Sequence, residues 1–169
     1  MSTIARLSLA VAATAVIIGF GAPELAAQVE LDRILTRVNG RAITQSDVRQ
    51  ARALGLVDDV SSDAATQRAL EDRVLILTEL NRASPVAPPS DEEIAARRQA
   101  WSARVGAGAN VDALLARNGM SSDDLQTWLK DDLRIRAYLA RQFGAIPEAE
   151  RTKATADWLA RLRQRAEGR

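Results

Sequence analysis

The residues in this chain with the types and spacing for chemistry are three acidic pairs, and those best suited to binding are three tryptophans. Asp58-Asp59, Asp123-Asp124 and Asp131-Asp132 each place two carboxylates side by side, the raw material of a metal site or an acid–base couple. Adjacent helical residues do not converge on one point, because side chains that meet on a helix are three or four apart. No calcium-loop spacing surrounds any of the pairs. Asp123-Asp124 follows the hydroxyls of Ser121-Ser122, so its charges belong to a helix first turn, where they oppose the dipole favourably. Asp132 has Arg136 four residues on, the spacing of a surface ion pair. The expectation is therefore no metal and no catalytic carboxylate pair. Gly106-Ala107-Gly108 lacks the Lys-Ser/Thr ending and the preceding strand of a phosphate loop, so no nucleotide or other cofactor is expected either.

The 169 residues include no cysteine and no histidine. Disulfides, thiol catalysis and thiolate metal sites are excluded, as are serine–histidine and cysteine–histidine nucleophiles. The net charge is +1, from 23 basic and 22 acidic residues. That balance lacks the basic excess of a protein that tracks a phosphate backbone, so nucleic acid is not an expected partner.

Trp101, Trp128 and Trp158 lie on helical apolar faces, and Met120 stands just ahead of the longest helix. Two readings fit them. As binding residues they line a groove for extended, apolar polypeptide, with Met120 as an adaptable contact. As core residues they fill the interior, which large aromatics commonly do. Apolar residues make up 47% of the chain but aromatics only 4%, so Leu, Ala, Val and Ile must form most of any core.

The elements that must position these residues can be read in order. Ile34 to Val38 meets Asn39-Gly40, a tight-turn dipeptide, and Arg41-Ala42-Ile43 returns, which predicts a small β-hairpin. Thr44 followed by Asp47 opens a helix that runs to about Leu54 and stops at Gly55. Ser61-Ser62-Asp63 caps a helix over Ala64 to Ala83, apolar on more than one side and so buried among other helices. Pro85, Pro88 and Pro89 break the chain. Ser90 to Glu93 opens a helix carrying Ile94, Trp101 and Val105, and Gly106 to Gly108 ends it as a turn. A short helix covers Val111 to Arg117. Ser121 to Asp124 caps the longest one, with Leu125, Trp128, Leu129, Ile135, Leu139 and Phe143 on one face and Leu133 and Tyr138 at its edges. Gly144 ends it, and Pro147 begins a last helix with Ala154, Trp158, Leu162 and Ala166 in a stripe. The fold class is mainly α, about six helices and one hairpin.

Arg6, the uncharged run from Leu7 to Ala22, and Leu25-Ala26-Ala27 before Gln28 form the three-part order of a secretory signal peptide. The expected organisation is a signal over residues 1–27, cleaved after Ala27, and one helical domain over 28–169. The product would be periplasmic or otherwise extracytoplasmic. The other reading of the run is a retained membrane anchor, although it is shorter than the ~20 residues that span a bilayer.

The order of these pieces resembles that of the SurA-type periplasmic chaperones. Ile34 to Asp47, with its Val-Asn-Gly turn and Ile-Thr strand, is similar to their opening. Leu70 to Leu80 is similar to the long buried helix that follows, and Ser90 to Glu93, Leu125 to Phe143 and Trp158 to Ala166 match in order and character. The resemblance implies a chaperone core, related to that of trigger factor, in which a C-terminal helix packs back on the N-terminal helices. It implies binding of unfolded exported or outer-membrane proteins without nucleotide. Fuller members carry parvulin-type prolyl isomerase modules between the last two helices. Here only Gly144 to Lys153 lies between them, too few residues to fold as a domain, and the histidines of such sites are absent. An ATP-independent holdase is the leading expectation. A prolyl isomerase with an unrecognised site, and an accessory subunit that docks one dedicated partner, are the alternatives.

Overall fold

A computed structural model describes residues 32–82 and 87–167. The export-signal and cleavage readings, and the Ala83 end of the second helix, lie outside the described residues. Strands β1 (Ile34–Val38) and β2 (Arg41–Thr44) form an antiparallel hairpin. Its turn residues, Asn39 and Gly40, have φ of 48° and 82°. Two successive left-handed residues make the turn whose twist matches a hairpin, which is why Asn-Gly stands there.

Six α-helices follow: α1 (Gln45–Ala53), α2 (Asp63–Arg82), α3 (Asp91–Arg104), α4 (Val111–Arg117), α5 (Ser122–Phe143) and α6 (Glu148–Glu167). The expected hairpin and mainly helical class are both present among the described residues. Three helices open on reciprocal caps. Thr44, Ser90 and Ser121 each accept from the backbone N–H three residues on, and Asp47, Glu93 and Asp124 reach back to the cap's own N–H. Each motif satisfies two otherwise orphaned donors.

Some local expectations shift. Gly108–Asn110 forms one 3-10 turn where a plain turn was expected. Helix α6 starts at Glu148, with the Pro147 carbonyl accepting from the amides of Glu150 and Arg151, so proline stands one place before the helix. Gly144 ends α5 with an ordinary helical φ of −63°. The reason for glycine there is steric: a Cβ would collide with the Ala140 carbonyl oxygen.

Two apolar clusters hold the molecule together. The larger one joins Val38 and Ile43 of the hairpin, Val48 and Ala51 of α1, five residues of α2, Ile135, Tyr138 and Phe143 of α5, and Trp158 and Leu162 of α6. Helix α2 is buried along Leu70, Val74, Leu75, Ile76 and Leu80, and it packs against α1, α5, α6 and both strands. That explains why its apolar residues exceed one stripe. Tyr138, expected at an edge of α5, is buried because its ring and that of Phe143 pack on Trp158, at centroid distances of 6.0 and 5.6 Å. The C-terminal helix does pack back on α2, where Arg163 grips Asp72 through two bonds of 2.8 and 2.6 Å. The smaller cluster joins Leu54, Trp101, Leu115, Met120, Leu125 and Leu129.

Candidate functional site

The site grows out of the loop that leaves α1. The helix ends at Leu54, and the carbonyls of Leu54, Gly55 and Leu56 need partners that the helix no longer supplies. Three side chains provide them. The Trp101 indole N–H donates to Leu54 O at 2.8 Å, the Arg104 guanidinium to Gly55 O at 2.7 Å, and the Trp128 indole N–H to Leu56 O at 3.3 Å. The loop is thereby fixed between α3 and α5. Gln50 adds a bond from its amide to Asn118 O, tying α1 to the turn after α4.

Beside this clamp lies a groove of about 480 Å³ between β2, α1, α2 and the start of α5. This is within the range of sites that hold small molecules or a few side chains. Ile43, Leu56, Leu77 and Met120 give it apolar wall, and Asp47, Asp124 and Asp131 stand along it. Arg73 of α2 is the notable lining residue. Its guanidinium carbon lies 3.8 Å from the centre of the Trp128 ring, and Nη2 donates to Trp128 O at 2.9 Å. Burial pushes its pKa down to about 10, against the attraction of Asp131 and Asp132. It remains a cation at neutral pH, held in a setting that disfavours the charge.

The four residues expected to contact a client are not brought together. Trp128 and Met120 line the groove. Trp101 is 1% exposed and anchors the smaller core, so its place and its satisfied N–H are those of an interior residue. Trp158 is also buried, at the far core beside Tyr138 and Phe143. Members of the acidic pairs are engaged in caps, turns and ion pairs, the Asp124 cap and the Asp132–Arg136 pair as their spacing predicts and the Arg97 contact of Asp132 from another helix. Asp59 accepts from Ser61, Asp124 caps α5, Asp131 pairs with Arg134, and Asp132 pairs with both Arg97 and Arg136. Among the described residues no group of three or more potential ligands could hold a metal ion, and no helix is long and apolar enough to cross a membrane.

Arg73 was the residue to find in the sequence. It stands three residues after Leu70 and four before Leu77, so it shares their helical face. A charge within an apolar stripe is the informative exception to the rule that charges stay outside. No family model, no curated protein and no solved structure matches this chain.

Proposed function

We propose that this protein is an exported, ATP-independent holdase that binds unfolded or partly folded polypeptide in the groove between β2, α1, α2 and α5. The observation that carries this reading is the groove's lining. Apolar wall from Ile43, Leu56, Leu77 and Met120 meets the half-buried Trp128 ring and polar groups at the margin, the mixture that takes up a few side chains of an extended segment. The signal-like order of residues 1–27 and the resemblance of the chain's opening to SurA-type chaperones support the same conclusion. Without a nucleotide step, binding acts by equilibrium, lowering the free concentration of unfolded client and so slowing its aggregation.

The test is light scattering from an unfolded outer-membrane-type protein diluted into buffer without nucleotide. Protein purified from cells expressing the full chain is present at a near-equimolar ratio. Suppression of scattering is the expected result. Unchanged aggregation, with the helical fold verified by circular dichroism, would sink the holdase reading and favour one dedicated partner.

A further inference from the structure

The groove has an opinion about charge, and this inference rests on the holdase reading of that groove. The Arg73 guanidinium carries five N–H donors, of which one, on Nη2, donates to Trp128 O. Among the described residues no carboxylate forms an ion pair with it. The acids nearby are already engaged. Asp131 holds Arg134 at 2.9 Å, and Asp132 holds Arg97 at 2.8 Å and Arg136 at 3.0 Å. Asp47 accepts from the Thr44 amide at 2.8 Å, and Asp124 from the Ser121 amide at 3.0 Å and hydroxyl at 2.6 Å. Arg41, exposed on β2, lines the same groove and its charge opposes that of Arg73. The groove thus contains two arginines whose charges oppose each other, Arg73 being drawn also towards Asp131 and Asp132, with a tryptophan ring beneath Arg73 and apolar wall beside it.

We infer that the groove selects internal polypeptide segments in which a single Asp or Glu is flanked by apolar residues. The side-chain carboxylate meets the Arg73 guanidinium, with Arg41 contributing from the rim, while the flanking side chains pack on Leu77, Met120 and Trp128. One carboxylate offsets the repulsion between the two arginines and supplies the directly hydrogen-bonded acid that Arg73 lacks among the described residues. More than one is disfavoured, because Asp47, Asp124 and Asp131 stand along the same walls.

The test is calorimetric titration of the protein, purified from cells expressing the full chain, with acetyl-Lys-Leu-Phe-Glu-Phe-Leu-Lys-amide and its Gln counterpart. The Glu peptide should bind about tenfold more tightly, as expected for a hydrogen-bonded charge pair. Arg73→Met should abolish that preference, bringing the affinities for the two peptides together. Arg41→Ala, an exposed change that spares the core, should reduce the preference by roughly two- to fivefold, and it decides the matter should Arg73→Met not fold. Equal affinity of the wild-type protein for the two peptides overturns the inference and leaves the holdase reading standing. Binding of neither overturns both. A Gln peptide with a free C-terminus that matches the Glu amide also overturns it, by making the chain end the ligand. So does a Glu preference that persists in both variants.

Discussion

The two cores are built on different principles. The larger one stacks aliphatic residues from the hairpin, α1, α2, α5 and α6 around a cluster of Tyr138, Phe143 and Trp158, and its parts come from both ends of the described chain. The smaller one is five aliphatic or thioether side chains around Trp101, whose indole N–H is pinned to Leu54 O. The first is broad and redundant, since losing one side chain leaves many neighbours to close over the gap. The second depends on one large residue that both fills volume and satisfies a buried carbonyl. Helix α5 belongs to each, with Leu125 and Leu129 in the smaller core and Ile135, Tyr138 and Phe143 in the larger. The groove lies where the two meet, lined by Met120 from one and Ile43, Leu70 and Val74 from the other.

The largest expected effect follows from that asymmetry. Trp101→Ala should cost about 3–5 kcal/mol, because it opens a cavity and orphans Leu54 O together. Trp158→Ala should cost less, near the lower end of that range, since the redundant core has side chains on several elements to close over the gap. Urea unfolding of the two variants measures both. A single transition is expected in each, because α5 couples the cores. Two separated transitions in Trp101→Ala would break that picture and show the smaller core melting alone.

A smaller effect tests how α6 is held to the larger core. Asp72→Ala removes the two-pronged partner of Arg163, whose pKa is raised by the hydrogen bonds it donates to Asp72. The pair is partly exposed, so screening limits the loss to about 1 kcal/mol. Adding salt to the wild-type protein should reproduce part of it, and a variant as stable as wild type would show that apolar contacts alone dock α6.

The caps come next. Ser121→Ala should cost about 1 kcal/mol and act through the start of α5, in the smaller core. Acid should find the same joints. The Ser121 hydroxyl and amide hold Asp124 below its usual 3.8, and the Ser90 amide and hydroxyl hold Glu93 below 4.5. A lowered carboxylate contributes stability that is present above the unfolded pKa and lost as pH falls through the folded one. Melting temperature should therefore be flat from about pH 6 to 8, where a chain without histidine has no ordinary side-chain titration, and fall below about pH 4.5. A slope across neutral pH would contradict this.

The fold was legible in the sequence wherever a local rule fixes it. Asn39-Gly40 dictates the hairpin, the three reciprocal caps set their helix starts within a residue, and Val111 to Arg117 is helical as read. What was not legible depends on packing from a distance. Tyr138 is an edge residue by helical angle alone, and only the arrival of α6, bringing Trp158, buries it. Periodicity likewise marks Trp101 and Trp128 as similar, because both lie on apolar stripes; in the fold both donate to the loop after α1. What separates them is depth, which comes from the helices that cover Trp101 and leave the Trp128 ring at a groove. Of the four expected binding residues, Met120 and Trp128 line it. Arg73, which no motif singles out, completes it.

Arg73 also supplies the smallest expected change in stability, and the most telling. Burial lowers its folded pKa to about 10, below the ordinary arginine range, so the unfolded state holds the proton more tightly. Stability on this account rises as pH climbs above about 10 towards the ordinary arginine range, which means that the charged form opposes folding at neutral pH. The stacking on Trp128 and the bond to its carbonyl offset part of that cost. Replacing a partly buried charge by a side chain of similar length is often neutral or stabilising, so Arg73→Met should move unfolding free energy by no more than about 1 kcal/mol in either direction. Should Arg73→Met instead lose as much as Trp101→Ala, the arginine would be a strut between α2 and α5, and the distinction between the structural tryptophan and the groove's arginine would fail.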